Sequence, residues 1–207
     1  MLHYATIDAK TLELLIKLQK VQEFVNLRLV GGTALALQIG HRKSIDLDLF
    51  GTIEVDTITI SKILNKIGKL TILKTSENIN IVLIDGIKVD IVNYDYKWLE
   101  KTISHNGIVL ADIKDIAAMK LAAITGRGTK KDFIDLFFLL KYYNLQDMLD
   151  FYEQKYHDGS IFLVLKSLSY FEDAEDEETP NMLKPVNWKE VKSYISNRLE
   201  SYLKNKK

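Results

Sequence analysis

The sequence predicts an α+β protein in which a mixed β-sheet flanked by helices comes first and a helical bundle follows. Three observations predict it. Between residues 26 and 94 short β-forming runs alternate with helical periodicity. Asp85-Gly86 separates two such runs, as a tight hairpin turn requires. Beyond about residue 108 the apolar residues recur only at helical spacing. A boundary there divides the chain into 1–108 and 109–207.

Each element has its own signal. From Asp8 to Phe24, Leu12, Leu15, Leu18 and Val21 recur as one helical stripe. Asn26 to Val30 is a short strand ended by Gly31-Gly32, after which Thr33 is expected to N-cap a helix running to Ile39. His41 to Ser44 is a polar turn, and Ile45 to Phe50 alternates like a strand. A helix over Ile58 to Ile67 and a strand over Leu70 to Lys74 precede the hairpin of Asn80–Ile84 and Ile87–Tyr94. In the second half Asp112 and Asp115 mark a helix start, and Gly126 and Gly128 interrupt that helix. Phe133, Leu136, Phe137 and Leu140 give the next helix its apolar face. Further helices are expected at Leu145–Tyr156, Ser160–Phe171 and Trp188–Lys204. The acidic run Glu172 to Glu178 reads as a solvated loop.

Composition narrows the function classes. Lys and Arg number 28 and so do Asp and Glu, so bulk charge gives no basic footprint for nucleic acid and any basic surface must be local. The absence of cysteine excludes disulfide scaffolds and thiolate metal sites. No apolar run approaches membrane-spanning length, and the N-terminus lacks a basic start, an unbroken apolar stretch and a small-residue cleavage site. A cytoplasmic location with no membrane partner is the expectation.

The chemistry concentrates in Gly31 to Phe50. Residues two apart on a strand project to one side, so Asp46 and Asp48 point together. Two such carboxylates repel unless a cation lies between them, and hard oxygen ligands suit Mg²⁺ or Mn²⁺. The alternative for the Asp-x-Asp alone is the solvated side of an amphipathic strand. Upstream, Gly31-Gly32 sits between strand and helix, where backbone N–H groups and the helix N-terminus favour a phosphate.

The ordered pattern Val30-Gly31-Gly32, short helix, polar turn, Asp46-Leu47-Asp48-Leu49 resembles the nucleotidyltransferase signature of the DNA polymerase β-like superfamily. Its longer form, Gly-Gly-Thr-Ala-Leu followed by Gly40-His41-Arg42 and Ser44-Ile45-Asp46-Leu47-Asp48, is similar to the AbiEii/AbiGii toxin branch. A second stretch, from Lys120 through Arg127 and Lys131 to Asp132-Phe133-Ile134-Asp135-Leu136, is similar to that family's Lys…Arg…Lys/Arg-Asp-x-x-Asp-Leu motif.

The resemblance implies an N-terminal nucleotidyltransferase domain and transfer of a nucleoside monophosphate from an NTP to an acceptor hydroxyl, releasing pyrophosphate. It implies that Asp46, Asp48 and a third carboxylate, Asp90, bind two Mg²⁺ or Mn²⁺ ions. Gly31, Gly32 and Thr33 would position the NTP, with Arg42 and Ser44 alongside, and Arg42 could equally pair with a carboxylate. Lys120, with Arg127 and Lys131, would offset triphosphate charge. Asp132 is a catalytic candidate for which a capping role competes, and Asp135 would hold a basic partner. tRNA or another RNA is the favoured acceptor, with a cognate antitoxin as protein partner. Protein nucleotidylation and a non-catalytic nucleotide- or partner-binding module are the alternatives.

Overall fold

A computed structural model describes residues 1–206, which divide into two compact units. Unit one comprises Met1–Tyr96 and Lys101–Ala111; unit two comprises Lys97–Glu100 and the chain from Asp112 onward.

Unit one is built on a seven-stranded mixed sheet. Its strands are β1 (Leu27–Val30), β2 (Leu47–Gly51), β3 (Leu70–Thr75), β4 (Ile79–Ile84), β5 (Ile87–Asn93), β6 (Ile103–His105) and β7 (Ile108–Leu110). Their order in the sheet is β3-β4-β5-β2-β1-β7-β6. The chain's central pairing is β2 with β5, which run parallel, while β2 runs antiparallel to β1. Alternation sends Leu47, Leu49, Val89 and Ile91 into the core on one side, leaving Asp48, Phe50, Lys88 and Asp90 partly exposed on the other.

The helices of this unit are α1 (Ala9–Gln19), α2 (Gly31–Ile39) and α3 (Thr57–Ile67). Asp8 caps α1, accepting from the Thr11 N–H at 2.9 Å and the Thr11 hydroxyl at 2.8 Å. That helix ends at Gln19, earlier than the apolar stripe suggests, and a 3-10 turn at Gln22–Phe24 carries the remainder while still burying Phe24. Asp85 and Gly86 form the expected hairpin turn with φ of 51° and 85°. Asn106 and Gly107 (φ 51° and 78°) make a second, joining β6 to β7, which the sequence reading passed over because each strand is only three residues long.

Unit two is helical: α4 (Ile113–Gly126), α5 (Lys130–Leu139), α6 (Leu145–Lys155), α7 (Ile161–Ser167), α8 (Glu172–Glu175) and α9 (Trp188–Asn205). Helix α4 packs against α5, α6 and α7, and α9 against α5 and α6. Asp112 caps α4, and Asn144 with Asp147 forms a capping box at α6. The acidic run is solvent-exposed at each of its acidic residues, as expected, but it is not all loop. Four of its residues form α8, and Glu177 accepts the Lys130 N–H at 2.7 Å. The Lys130 ammonium meets the Glu175 carbonyl at 2.9 Å and also that of Glu177. The run thus answers the Lys130 N–H and the buried Lys130 ammonium at the start of α5. No helix among the described residues is long and apolar enough to cross a membrane.

Candidate active site

The site begins with glycine geometry. Gly31 opens α2 at φ +67°, in the left-handed region that a side chain resists. A Cβ there would overlap the Asp48 carboxylate, lying 2.9 Å from its Cγ. A Cβ at Gly32 would strike the Arg42 guanidinium and lie 3.4 Å from the Ser44 hydroxyl. The pair therefore lets a carboxylate and a guanidinium approach the head of the helix.

Thr33 holds the next turn in place, in a role different from the expected cap. The helix already starts at Gly31, and Val30 occupies the cap position without a side-chain bond. The buried Thr33 hydroxyl reaches the Asp46 carbonyl and, at 2.9 Å, the Ser44 hydroxyl. A carbonyl only accepts, so Thr33 donates to Asp46 and Ser44 donates to Thr33. This ties α2 to the residue that begins the acidic segment. Arg42 is 4% exposed, and its Nη1 donates to the Lys43 carbonyl at 3.0 Å.

Asp48 on β2 and Asp90 on β5 are register partners on parallel strands, so their Cα atoms stand about one strand spacing, ~4.8 Å, apart. Asp48 is also the register partner of Val30, immediately before Gly31. Asp46 lies directly before β2. Gly31, Gly32, Thr33, Ser44, Asp46 and Asp48 thus cluster around the start of α2 and β2, with Asp90 beside Asp48 in the middle of β5. Their side chains do not close on a common point: among the described residues no three acidic or histidine groups form a metal-holding cluster. Asp90 faces another partner, accepting from the Lys88 ammonium at 2.6 Å. Lys88 was missed from the sequence although its position two residues before Asp90 puts both on one strand face, the rule that paired Asp46 with Asp48. By composition the donor set fits a hard divalent cation: three carboxylates, two of them adjacent in register, beside a cradle that a Cβ at Gly31 would fill.

A cavity of about 690 Å³ adjoins this segment. Asp46, Ile45 and Lys88 line it together with Lys10 and Leu14 from α1 and Asp85 from the hairpin turn.

In unit two the expected phosphate-binding lysine is already engaged. Lys120 is 4% exposed, and its ammonium lies 2.9 Å from Asp132 and 2.6 Å from Asp135, both fully buried. Asp132 also accepts from Arg127 Nε at 2.9 Å and from the Thr129 hydroxyl at 2.6 Å. Burial alone would raise the Asp132 carboxyl. The charges of Lys120 and Arg127, with hydrogen bonds from Arg127 and Thr129, override it and hold the group well below the usual carboxylate range. The motif read from Lys120 to Asp135 is thus an ion cluster joining α4 to α5, and Asp135 does hold a basic partner. Arg127 keeps 60% of its side chain exposed while bonded to Asp132, and Lys131 is half-buried.

A second buried pair had no signal in the sequence. Lys155 and Asp115 meet at 2.7 Å with both side chains fully buried. Asp115 also accepts the N–H groups of Leu99 at 3.0 Å and Glu100 at 3.1 Å, and Lys155 donates to the Lys97 carbonyl at 2.9 Å. Forty residues separate the two charges, so no local spacing betrays them.

A seven-stranded mixed sheet carrying a Gly-Gly helix start beside paired aspartates, with helices following, is an architecture found in nucleotidyltransferases. The structure is similar to MenT4, a nucleotidyltransferase toxin from Mycobacterium tuberculosis H37Rv, with a TM-score of 0.58 and 15% identity over 92% of this chain and 80% of that one. It is also similar to a Helicobacter pylori protein, with a TM-score of 0.59 and 18% identity over 95% and 93% of the two chains. At sequence level the chain is 39% identical over 183 residues to an uncharacterized protein of Aquifex aeolicus (strain VF5), covering 86% of this chain and 88% of that one. The family described as nucleotidyl transferase AbiEii toxin, type IV TA system, matches residues 13–202, and this chain belongs to it.

Proposed function

We propose that this toxin-family nucleotidyltransferase moves a nucleoside monophosphate from an NTP to a hydroxyl of RNA, with tRNA as the favoured acceptor. The observation that carries the reading is the register pairing of Asp48 with Asp90 beside the Gly31 turn. The acceptor oxygen forms a bond to the α-phosphorus, the bond to the β-phosphate oxygen breaks, and pyrophosphate departs with that electron pair. The hydroxyl proton passes to a base, for which Asp90 is the candidate.

The residues divide the work. Asp46, Asp48 and Asp90 would hold Mg²⁺ or Mn²⁺, which when bound supplies charge neutralisation and activation of the hydroxyl. Gly31 and Gly32, lacking side chains, let Asp48 and Arg42 lie against the start of α2, where the helix N–H groups and the Arg42 guanidinium would meet phosphate oxygens. Thr33 and Ser44 fix the approach of Asp46 to that helix. Lys120 and Asp132, assigned from the family motif to phosphate and catalytic roles, act in this reading through the ion cluster they build. As in other toxins of this type, a cognate antitoxin would be the protein partner.

The test is incubation of the purified protein with α-labelled NTPs, Mg²⁺, and either total RNA or total protein, with Asp48→Ala as control. Label in RNA of tRNA size, lost in the variant, is the expected result. Label confined to protein moves the acceptor to a protein hydroxyl, and label in neither overturns the transferase reading.

A further inference from the structure

Asp46 and Asp48 at the start of β2 and Asp90 in the middle of β5 bring three negative charges to neighbouring positions, and such a group repels itself unless a cation is present. The register neighbours of Asp90 are Asp48 on one side and the apolar Ile81 on the other. Among the described residues Lys88 is the cation that meets it, at 2.6 Å, with side-chain exposures of 38% for the lysine and 18% for the aspartate. Both residues occupy one face of β5, so the long lysine stem must fold along the strand to reach its partner. Lys88 and Asp46 also line the same cavity of about 690 Å³, which leaves the ammonium room to swing elsewhere.

We propose that Lys88 is a built-in counter-ion of the acidic site: its ammonium competes with a divalent cation for Asp90 and turns into the cavity when the cation takes that carboxylate. The proposal rests on the metal reading of Asp46, Asp48 and Asp90 given above. Lys88 is a positioning residue in this account, acting through Asp90. Removing it takes away a competitor for the metal and leaves the three ligands intact.

The experiment measures Mn²⁺ binding to the full chain by electron paramagnetic resonance of the free ion, for wild type, Lys88→Met, Lys88→Gln, Lys88→Arg and Asp48→Ala. With a partly exposed ion pair as the competitor, Lys88→Met and Lys88→Gln should each bind Mn²⁺ about three- to fivefold more tightly, while Lys88→Arg stays near wild type. The two neutral variants guard against a folding defect in either, checked by circular dichroism. Unchanged or weaker binding in both, against wild-type binding that Asp48→Ala abolishes, overturns the counter-ion role and leaves the metal site standing. No Asp48-dependent binding in any variant overturns the metal site and the counter-ion with it.

Discussion

Replacing Lys120 with methionine separates a structural staple from a phosphate ligand. The ammonium stands 2.9 Å from Asp132 and 2.6 Å from Asp135, and both carboxylates are fully buried. Methionine preserves most of the volume and removes the charge, so the loss is electrostatic. Breaking a buried pair by removing one partner costs about 3–5 kcal/mol, because the remaining charge is left without compensation. Asp132 retains Arg127 and Thr129, which places the expected loss toward the lower end, about 3 kcal/mol. For a chain of this size each kcal/mol lowers Tm by about 2–4 °C, giving a fall of roughly 6–12 °C in the transition of the helical unit. Differential scanning calorimetry reads it directly. Adding Asp135→Asn should recover part of the fall, since it removes one of the stranded charges. A Lys120→Met protein that melts within about 2 °C of wild type, yet has lost activity, would refute the staple and return Lys120 to the triphosphate.

Two further expectations follow from the same geometry. The Asp132 carboxyl is held below its ordinary value of 3.8, so its ionised form is favoured by folding. That stabilisation is complete above the unfolded-state value and is lost as pH falls through 3.8 toward the lowered folded value. Wild type should therefore lose stability faster than Asp132→Asn as pH drops below about 4, and denaturant melts from pH 6 to 2.5 measure the difference. Gly31→Ala would have to adopt φ +67° and push aside the Asp48 carboxylate. A destabilisation of about 1–3 kcal/mol is expected, with transferase activity reduced far more than stability, as read by labelling assays on folded protein. Wild-type activity in that variant would remove the Gly31–Asp48 approach from the mechanism.

Legibility in the sequence followed the range of each interaction. The strand–glycine–helix–strand order and the Asp85-Gly86 turn were readable because neighbours within a few residues determine them. Asp90 could be singled out as a carboxylate inside a β-forming run, yet its place beside Asp48 depends on the parallel pairing of β2 and β5. Thr33 was misread because a threonine after two glycines carries the same local signal whether it caps a helix or reaches across to a neighbouring strand. The acidic run from Glu172 is solvated as its charge suggests, but its anchorage by Lys130, more than 40 residues earlier, leaves no local signal. Lys120 was assigned to phosphate by resemblance, whereas its buried partners at Asp132 and Asp135 emerge only when α4 and α5 pack.

The Asp115–Lys155 pair has an evolutionary and practical corollary. By gripping the amides of Leu99 and Glu100 and the carbonyl of Lys97, it draws a four-residue stitch of the earlier chain into the helical unit before the β6–β7 hairpin returns to the sheet. The polypeptide consequently passes between its two units three times, so no single cut in the gene yields two intact halves. Moving the chain from Asp112 onward into another protein as a cassette would keep the Asp115–Lys155 pair but strip it of its backbone partners at Lys97, Leu99 and Glu100. Sheet and helices are bound to be inherited, and to diverge, together.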